Sequence, residues 1–360
     1  MDRGFWSYQM RTLEQCVFVG LLTVLNLISC FSAVKGAGND SVATELRRSL
    51  QTDTSGHAGI LFGRLDSNAL KPQIWTEGAI DAKNDLRLGC PTSKPCLAFI
   101  VLKEGIDLGA TIDRWFPEDS GFTKSHSITL KHLLLNSSGI RDYVPLIPMN
   151  PDSAITPVNS IDRAYRNQPL LFAPGTGFEY SNTNFNIVGR ILELHTGKTV
   201  QQLFRQYFGS YAPSLRLDDG KGNYPRGYPK PWPYHWISPG YAGGFIGSAT
   251  DAMRAFAYVA SQPEFEIMIR WYSPDGSVSD ETSDHLLGLG VFGKSNSAGL
   301  GEAVVYEGNM GPCQMILARV RGSVFYIASA HNIGPSQLSD LFQRLIILSI
   351  QRRQSSKHHQ

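Results

Sequence analysis

The sequence has almost no charge imbalance: 33 Lys and Arg stand against 31 Asp and Glu, a formal +2. With no basic block of useful length, nothing points to a nucleic-acid partner. Cysteine is scarce, five in 360 residues, and no Cys/His spacing has the pattern of a zinc site. Neither a metal nor another cofactor is therefore expected. There is no Gly-x-Ser-x-Gly elbow, and none of the nine histidines sits in a phrase that marks a general base. That argues against a Ser-His-Asp hydrolase. No internal repeat occurs. Beyond the N-terminal region no apolar run is long enough to cross a bilayer.

What is present is ordinary globular material, 42% hydrophobic and 18% charged. Residues 16–34, CVFVGLLTVLNLISCFSAV, carry no charge, and Arg3 and Arg11 precede them. Three readings fit this run. It is a cleaved signal peptide, an anchor just long enough to span a bilayer, or a lipoprotein leader. In the last reading Leu27-Ile28-Ser29-Cys30 resembles a lipobox and Cys30 takes the acyl group. Each makes the folded part secreted or membrane-anchored, touching a membrane only through this segment. The expected organisation is a leader over 1–37, one domain over 38–352 and a polar tail over 353–360, where His358-His359 reads as a solvated pair. Outside the cytoplasm Cys90 and Cys96 are close enough in sequence to pair, which leaves Cys313 odd.

Helical patterns cover 40–51, 95–104, 128–135, 182–197, 248–261 and 337–350. Pro95 suits a first helical turn and Gly105 the position just past the end. In 182–197, Phe185, Val188, Ile191, Leu192 and His195 fall on or near one face, and His195 reads as a core-edge histidine. Strand-like runs are 57–62, 73–77, 303–306, 313–320 and 324–330. Residues 224–236, YPRGYPKPWPYHW, hold too much proline for regular structure. This stiff loop either walls a cleft with Trp232, Tyr234 and Trp236 or is a rigid surface feature. Strands lie near both ends, helices fill the middle, and short turns link the last three strands. The fold class is α+β with an antiparallel sheet.

Three phrases stand in a telling order. The first is Ile128-Thr129-Leu130 through Leu135, closed by Asn136-Ser137-Ser138-Gly139-Ile140. The second is Ala173-Pro174-Gly175-Thr176 followed by Phe178-Glu179-Tyr180-Ser181-Asn182-Thr183-Asn184-Phe185. The third is Ala242-Gly243-Gly244 followed by Ser248-Ala249-Thr250-Asp251. Together they resemble the serine β-lactamase and penicillin-binding-protein-like family, in its class C β-lactamase, D-alanyl-D-alanine carboxypeptidase and esterase branch. The resemblance spans about residues 40–350. It implies a β-lactamase/transpeptidase-like fold, an antiparallel sheet flanked by N- and C-terminal helices plus a helical subdomain. It also implies that the Asn136 sequon lies in a buried turn and stays unmodified; a second sequon is at Asn39.

In that family a serine at a helix N-terminus attacks an acyl group, and a lysine three residues on, one turn along, takes or holds its proton. The tyrosine of a Tyr-x-Asn motif relays it, and a Lys-Thr-Gly or His-x-Gly strand faces the substrate. A hydroxyl or thiol needs such a base beside it. Free Tyr and Lys titrate near ~10 and ~10.4, so charge or burial must retune them. Here Tyr180 and Asn182 match the second motif, as relay and substrate contact. The first motif is altered to Leu88-Gly89-Cys90-Pro91-Thr92-Ser93-Lys94, with Cys90 or Ser93 as candidate nucleophile and Lys94 as the base. If the helix starts at Pro95, Cys90 and Lys94 lie on a loop, and the segment is then a structural loop instead of a nucleophile site. Ser32 and Lys35 share the family spacing by coincidence. The third motif becomes Tyr306-Glu307-Gly308, with Asn309 next, and loses its cation while gaining a carboxylate. Two functions follow. One is an acyl hydrolase of esters, amides or peptidyl-D-alanine acting on a small-molecule or peptide acyl substrate. The other is a non-catalytic relative that binds a peptide, cell-wall fragment or protein in the same cleft.

Overall fold

The computed structural model describes residues 41–51, 58–67, 69–87, 89–146, 156–218, 222–223, 240–279, 287–290, 294–295, 303–310, 313–330, 333 and 335–357. The apolar run 16–34, the Asn39 sequon, the loop 224–236 and His358-His359 lie outside them. Among the described residues no helix is long and apolar enough to cross a membrane.

The strands are β1 Gly59–Leu65, β2 Gln73–Gly78, β3 Leu86–Arg87, β4 Arg216–Leu217, β5 Phe245–Gly247, β6 Lys294–Ser295, β7 Ala303–Met310, β8 Cys313–Val320 and β9 Ser323–Ser329. The main sheet has six strands in the order β2-β1-β9-β8-β7-β6, all antiparallel, and β3-β5-β4 form a small second sheet. The helices are α1 Ser41–Ser49, α2 Gly89–Lys103, α3 Leu130–Leu134, α4 Pro157–Ala164, α5 Asn182–Thr196, α6 Val200–Phe208, α7 Ala249–Ala260, α8 Glu264–Met268 and α9 Pro335–Lys357. The antiparallel α+β architecture is as expected from sequence. The last helix continues to Lys357, into residues expected to form a polar tail.

Alternation along each strand splits the core in two. Ile60, Phe62, Ile316, Ala318, Phe325 and Ile327 point to one face, where Val42 and Leu46 of α1 and Leu338, Leu341, Phe342 and Leu345 of α9 cover them. Leu61, Met315, Leu317, Val324 and Tyr326 point to the other, on the side of α2 and α7. The N- and C-terminal helices thus share one side of the sheet, and the helical middle of the chain occupies the other.

The start of α2 corrects the sequence expectation. Pro95 lies inside the helix, which begins at Gly89, not at Pro95. Proline lacks the N–H that would bond the carbonyl four residues back, a local cost in a helix interior. Packing outweighs it. Every residue from Thr92 to Val101 is buried, and a helix apolar on nearly all sides is stable only at the centre of a fold. Cys96 is a free, buried thiol, so the Cys90–Cys96 disulfide considered above does not form. Six residues apart on one helix, the two Cα atoms are about 9 Å apart, beyond the reach of a disulfide.

Candidate active site

Three loops converge on Lys94. The turn after α3 is the first. Asn136 sits there in the left-handed region at φ 55. Its carbonyl accepts the Glu179 N–H at 3.0 Å, and its side-chain oxygen accepts the Ser181 N–H at 3.1 Å and Asn184 Nδ2 at 3.0 Å. Ser138 Oγ donates to Asn184 Oδ1 at 2.7 Å. The Asn136-Ser137-Ser138-Gly139 phrase is therefore the clamp that fixes the Tyr180–Asn184 phrase. Asn136 is 1% exposed, consistent with an unused sequon.

The third loop is the short 3-10 turn Gly240–Ala242. Asn186 of α5 accepts the Ala242 N–H at 3.1 Å and so orients that peptide. Gly240 at φ 60 has a reason to be glycine: a Cβ there would lie 2.5 Å from Asn186 Oδ1.

Between these loops Lys94 is 0% exposed. Its Nζ donates to Tyr180 Oη at 2.9 Å, Asn182 Oδ1 at 3.1 Å and the Ala242 carbonyl at 3.0 Å. Tyr180 Oη in turn donates to Asn182 Oδ1 at 3.1 Å. The ammonium also lies 5.2 Å from the Tyr180 ring centre and 5.4 Å from that of Phe185. A buried ammonium is tolerated only when such acceptors meet it. Asp142, which the sequence reading did not single out, joins the group through Asn182. Burial pushes its carboxyl up to about 6, against the opposing pull of the Val144 N–H, the Asn182 amide and the Lys94 charge.

Of the residues expected at the site, Lys94, Tyr180 and Asn182 meet directly. Cys90 lies in the first turn of α2, four residues before Lys94, so both are on one helix and not on a loop. Counting back three residues from Lys94 reaches Pro91, which has neither hydroxyl nor thiol. Ser93 is helical and 0% exposed, about 100° around the helix from Lys94. Tyr306 is 0% exposed in the core layer that also holds α2, and Gly308 shares its strand face. Asn309 pairs with Gln314 in the ladder between β7 and β8. Glu307 lies on the opposite face of β7, away from the α2 side, where desolvation raises its carboxyl to about 7. His195 is exposed near the far end of α5, edge-on to Trp115 at 6.4 Å. About 20 Å of helix separates it from Asn182. Among the described residues no cluster of His, Cys, Asp or Glu could hold a metal ion.

The family model described as Beta-lactamase matches residues 96–345. The chain belongs to the β-lactamase family. The match opens at Cys96, just past the altered first motif. Among relatives, a D-aminopeptidase of Brucella anthropi is 32% identical over 81 residues, covering 22% of this chain and 16% of its own length. Penicillin-binding protein 4* of Bacillus subtilis is 29% identical over 199 residues, 53% of this chain and 41% of its own. The chain thus spans less than half the length of these curated relatives. The fold of a D-amino acid amidase from Ochrobactrum anthropi superposes with a TM-score of 0.69 at 18% identity, covering 86% of this chain and 98% of that one. The octameric penicillin-binding protein homologue from Pyrococcus abyssi gives 0.62 at 16% identity, over 81% and 73%.

Proposed function

We propose that this β-lactamase-family protein is an acyl hydrolase that cleaves a small amide or ester, with Cys90 as nucleophile and Lys94 and Tyr180 as the proton pair. The observation that carries the reading is the buried Lys94 ammonium, bonded at once to Tyr180 Oη and Asn182 Oδ1. A lysine on a central helix needs no such neighbours for packing alone; an apolar residue would fill the place at lower desolvation cost.

Cys90 is preferred to Ser93 on two grounds. It lies one helical turn before Lys94, and it occupies the helix N-terminus, where the macrodipole favours a thiolate. The active form of the pair is a neutral Lys94 amine beside the Tyr180 hydroxyl, and the thiol proton passes to that amine as the S–C bond forms. The amide C–N or ester C–O bond then breaks, the leaving group takes the proton back, and water cleaves the thioester to free the acid and thiol. The D-aminopeptidase and D-amino acid amidase relatives suggest the amide of a small amino acid as substrate.

The second reading is a binding protein without turnover. Pro91 favours it, standing where the spacing from Lys94 calls for a nucleophile. An acyl probe decides between the two. Incubation with a labelled penicillin or an activated amino-acid ester, followed by peptide mapping, is expected to label Cys90. The label is lost in Cys90→Ala and slowed in Tyr180→Phe. No adduct on a protein shown to be folded refutes the hydrolase and leaves the binding reading. We also propose that the folded part works outside the cytoplasm. The uncharged run 16–34 supports this, and N-terminal sequencing of the mature protein tests it.

A further inference from the structure

Asp142 follows the Gly139 turn and meets the first residue of α5. Its Oδ1 accepts the backbone N–H groups of Val144 and Asn182, both at 3.3 Å, and its Oδ2 accepts Asn182 Nδ2 at 3.0 Å. At the other end of the same amide, Asn182 Oδ1 accepts from Lys94 Nζ and from Tyr180 Oη, both at 3.1 Å. A side-chain amide has one end that only donates and one that only accepts. Here its two ends face partners of opposite kind: a carboxylate that accepts and an ammonium that donates.

We propose that Asp142 is a positioning residue of this site: by holding the Asn182 NH2 group it locks the amide oxygen toward Lys94 and Tyr180. Its catalytic consequence rests on the hydrolase reading above; the amide orientation does not. Turned by 180°, Asn182 would aim two N–H donors at an ammonium that is all donors, and the proton pair would lose a shared acceptor. The two backbone bonds on Oδ1 fix the carboxylate, so its remaining oxygen can select only one amide orientation. Asp142 touches no reacting atom; it acts through Asn182.

The chemistry dictates an informative pair of variants. In Asp142→Asn the two backbone N–H groups keep the new carbonyl at the Oδ1 place. The new NH2 then faces Asn182 Nδ2 and drives that amide to flip. In the swap Asp142→Asn with Asn182→Asp, donor and acceptor are complementary again. The NH2 at position 142 meets a carboxylate whose second oxygen serves Lys94 and Tyr180.

The test uses the full chain labelled with 15N asparagine, with the Asn182 side-chain signals assigned from their loss in Asn182→Asp. In the unaltered protein the Asn182 amide protons are expected to be shifted downfield and slow to exchange. Asp142→Asn should abolish that signature and slow acylation by the penicillin probe about 10²-fold, the scale for a misplaced active-site group. The swap should recover at least tenfold of the rate, which repair of a merely structural defect elsewhere would not do. An unchanged Asn182 signature in folded Asp142→Asn overturns the proposal, as does a swap no faster than the single variant when the single variant is slow. If the unaltered protein forms no adduct but the signature behaves as described, the positioning role stands and the hydrolase reading falls.

Discussion

Pro91→Ser puts a hydroxyl three residues before Lys94, the spacing at which one helical turn separates a nucleophile from its base. Proline is the third residue of α2. The first four N–H groups of a helix have no intrahelical partner, so restoring one there disturbs no ladder bond. The stability change then comes chiefly from the greater freedom of the unfolded chain, roughly 0.4–1 kcal/mol. The chemical change is much larger. General-base assistance to a positioned hydroxyl is worth about 10²–10⁴ in rate, and the base is in place, held by Tyr180, Asn182 and the Ala242 carbonyl. We expect Pro91→Ser to acquire a fluorophosphonate adduct at position 91 at least 10²-fold faster than the unaltered protein labels any serine. The adduct should vanish when Lys94→Met is added. Intact-mass kinetics with peptide mapping reads both, and a thermal melt checks the fold. A folded Pro91→Ser variant with no adduct, or one whose labelling survives Lys94→Met, would refute the assignment of Lys94 as the base.

Tyr180→Phe keeps the ring whose centre lies 5.2 Å from Lys94 Nζ and removes only the hydroxyl. Its acylation rate should fall about 10²–10⁴-fold, while urea denaturation should show a loss of roughly 1.5–3 kcal/mol, the scale of a hydrogen bond to a charged group. Gly139 stands at φ 77, and a Cβ there would lie 2.3 Å from the Phe172 carbonyl oxygen. Gly139→Ala should therefore destabilise by roughly 1–3 kcal/mol from the backbone alone, with a further loss from the clash, read in the same melt. Asp142, with its carboxyl raised from 3.8 to about 6, binds a proton more tightly folded than unfolded. Its charge thus opposes folding above pH 6, and that penalty is relieved as pH falls from 6 towards 4. Relative to Asp142→Ala, the unaltered protein should gain up to about 3 kcal/mol between pH 7 and pH 4. A pH-independent difference would contradict the burial that raises the group.

Much of the fold was legible because it rests on periodicity. The alternation in 313–320 and 324–330 sends Leu317 and Tyr326 to one core and Ile316 and Phe325 to the other. The stripe Leu338, Leu341, Phe342 and Leu345 needed only a helix to reach the sheet. Tyr180 and Asn182 were legible through the order of phrases around them. Asp142 was not, because an aspartate in a loop-rich stretch carries no local sign of a partner 40 residues away. The Ala242 carbonyl is backbone, which no side-chain pattern announces; the Ala242-Gly243-Gly244 phrase marked only its place.

The start of α2 failed for a different reason. Residues 89–95 hold two prolines, and local rules read them as a helix boundary. Those rules describe an isolated chain, in which an N–H withheld at Pro95 has nothing to offset it. In the folded protein Thr92, Ser93 and Lys94 are enclosed on all sides, and the Lys94 ammonium meets acceptors from two other segments only if the helix already includes it. The helical register matters for the chemistry more than the fold does. A loop would leave Cys90, Pro91 and Ser93 at undefined distances from the lysine. A helix assigns each a fixed angle: Ser93 about 100° away, Pro91 and Cys90 one turn back. That register is the ground on which Cys90 is proposed as nucleophile, and it places Pro91 where the family resemblance implies a serine, a departure that stands beside the altered third motif Tyr306-Glu307-Gly308.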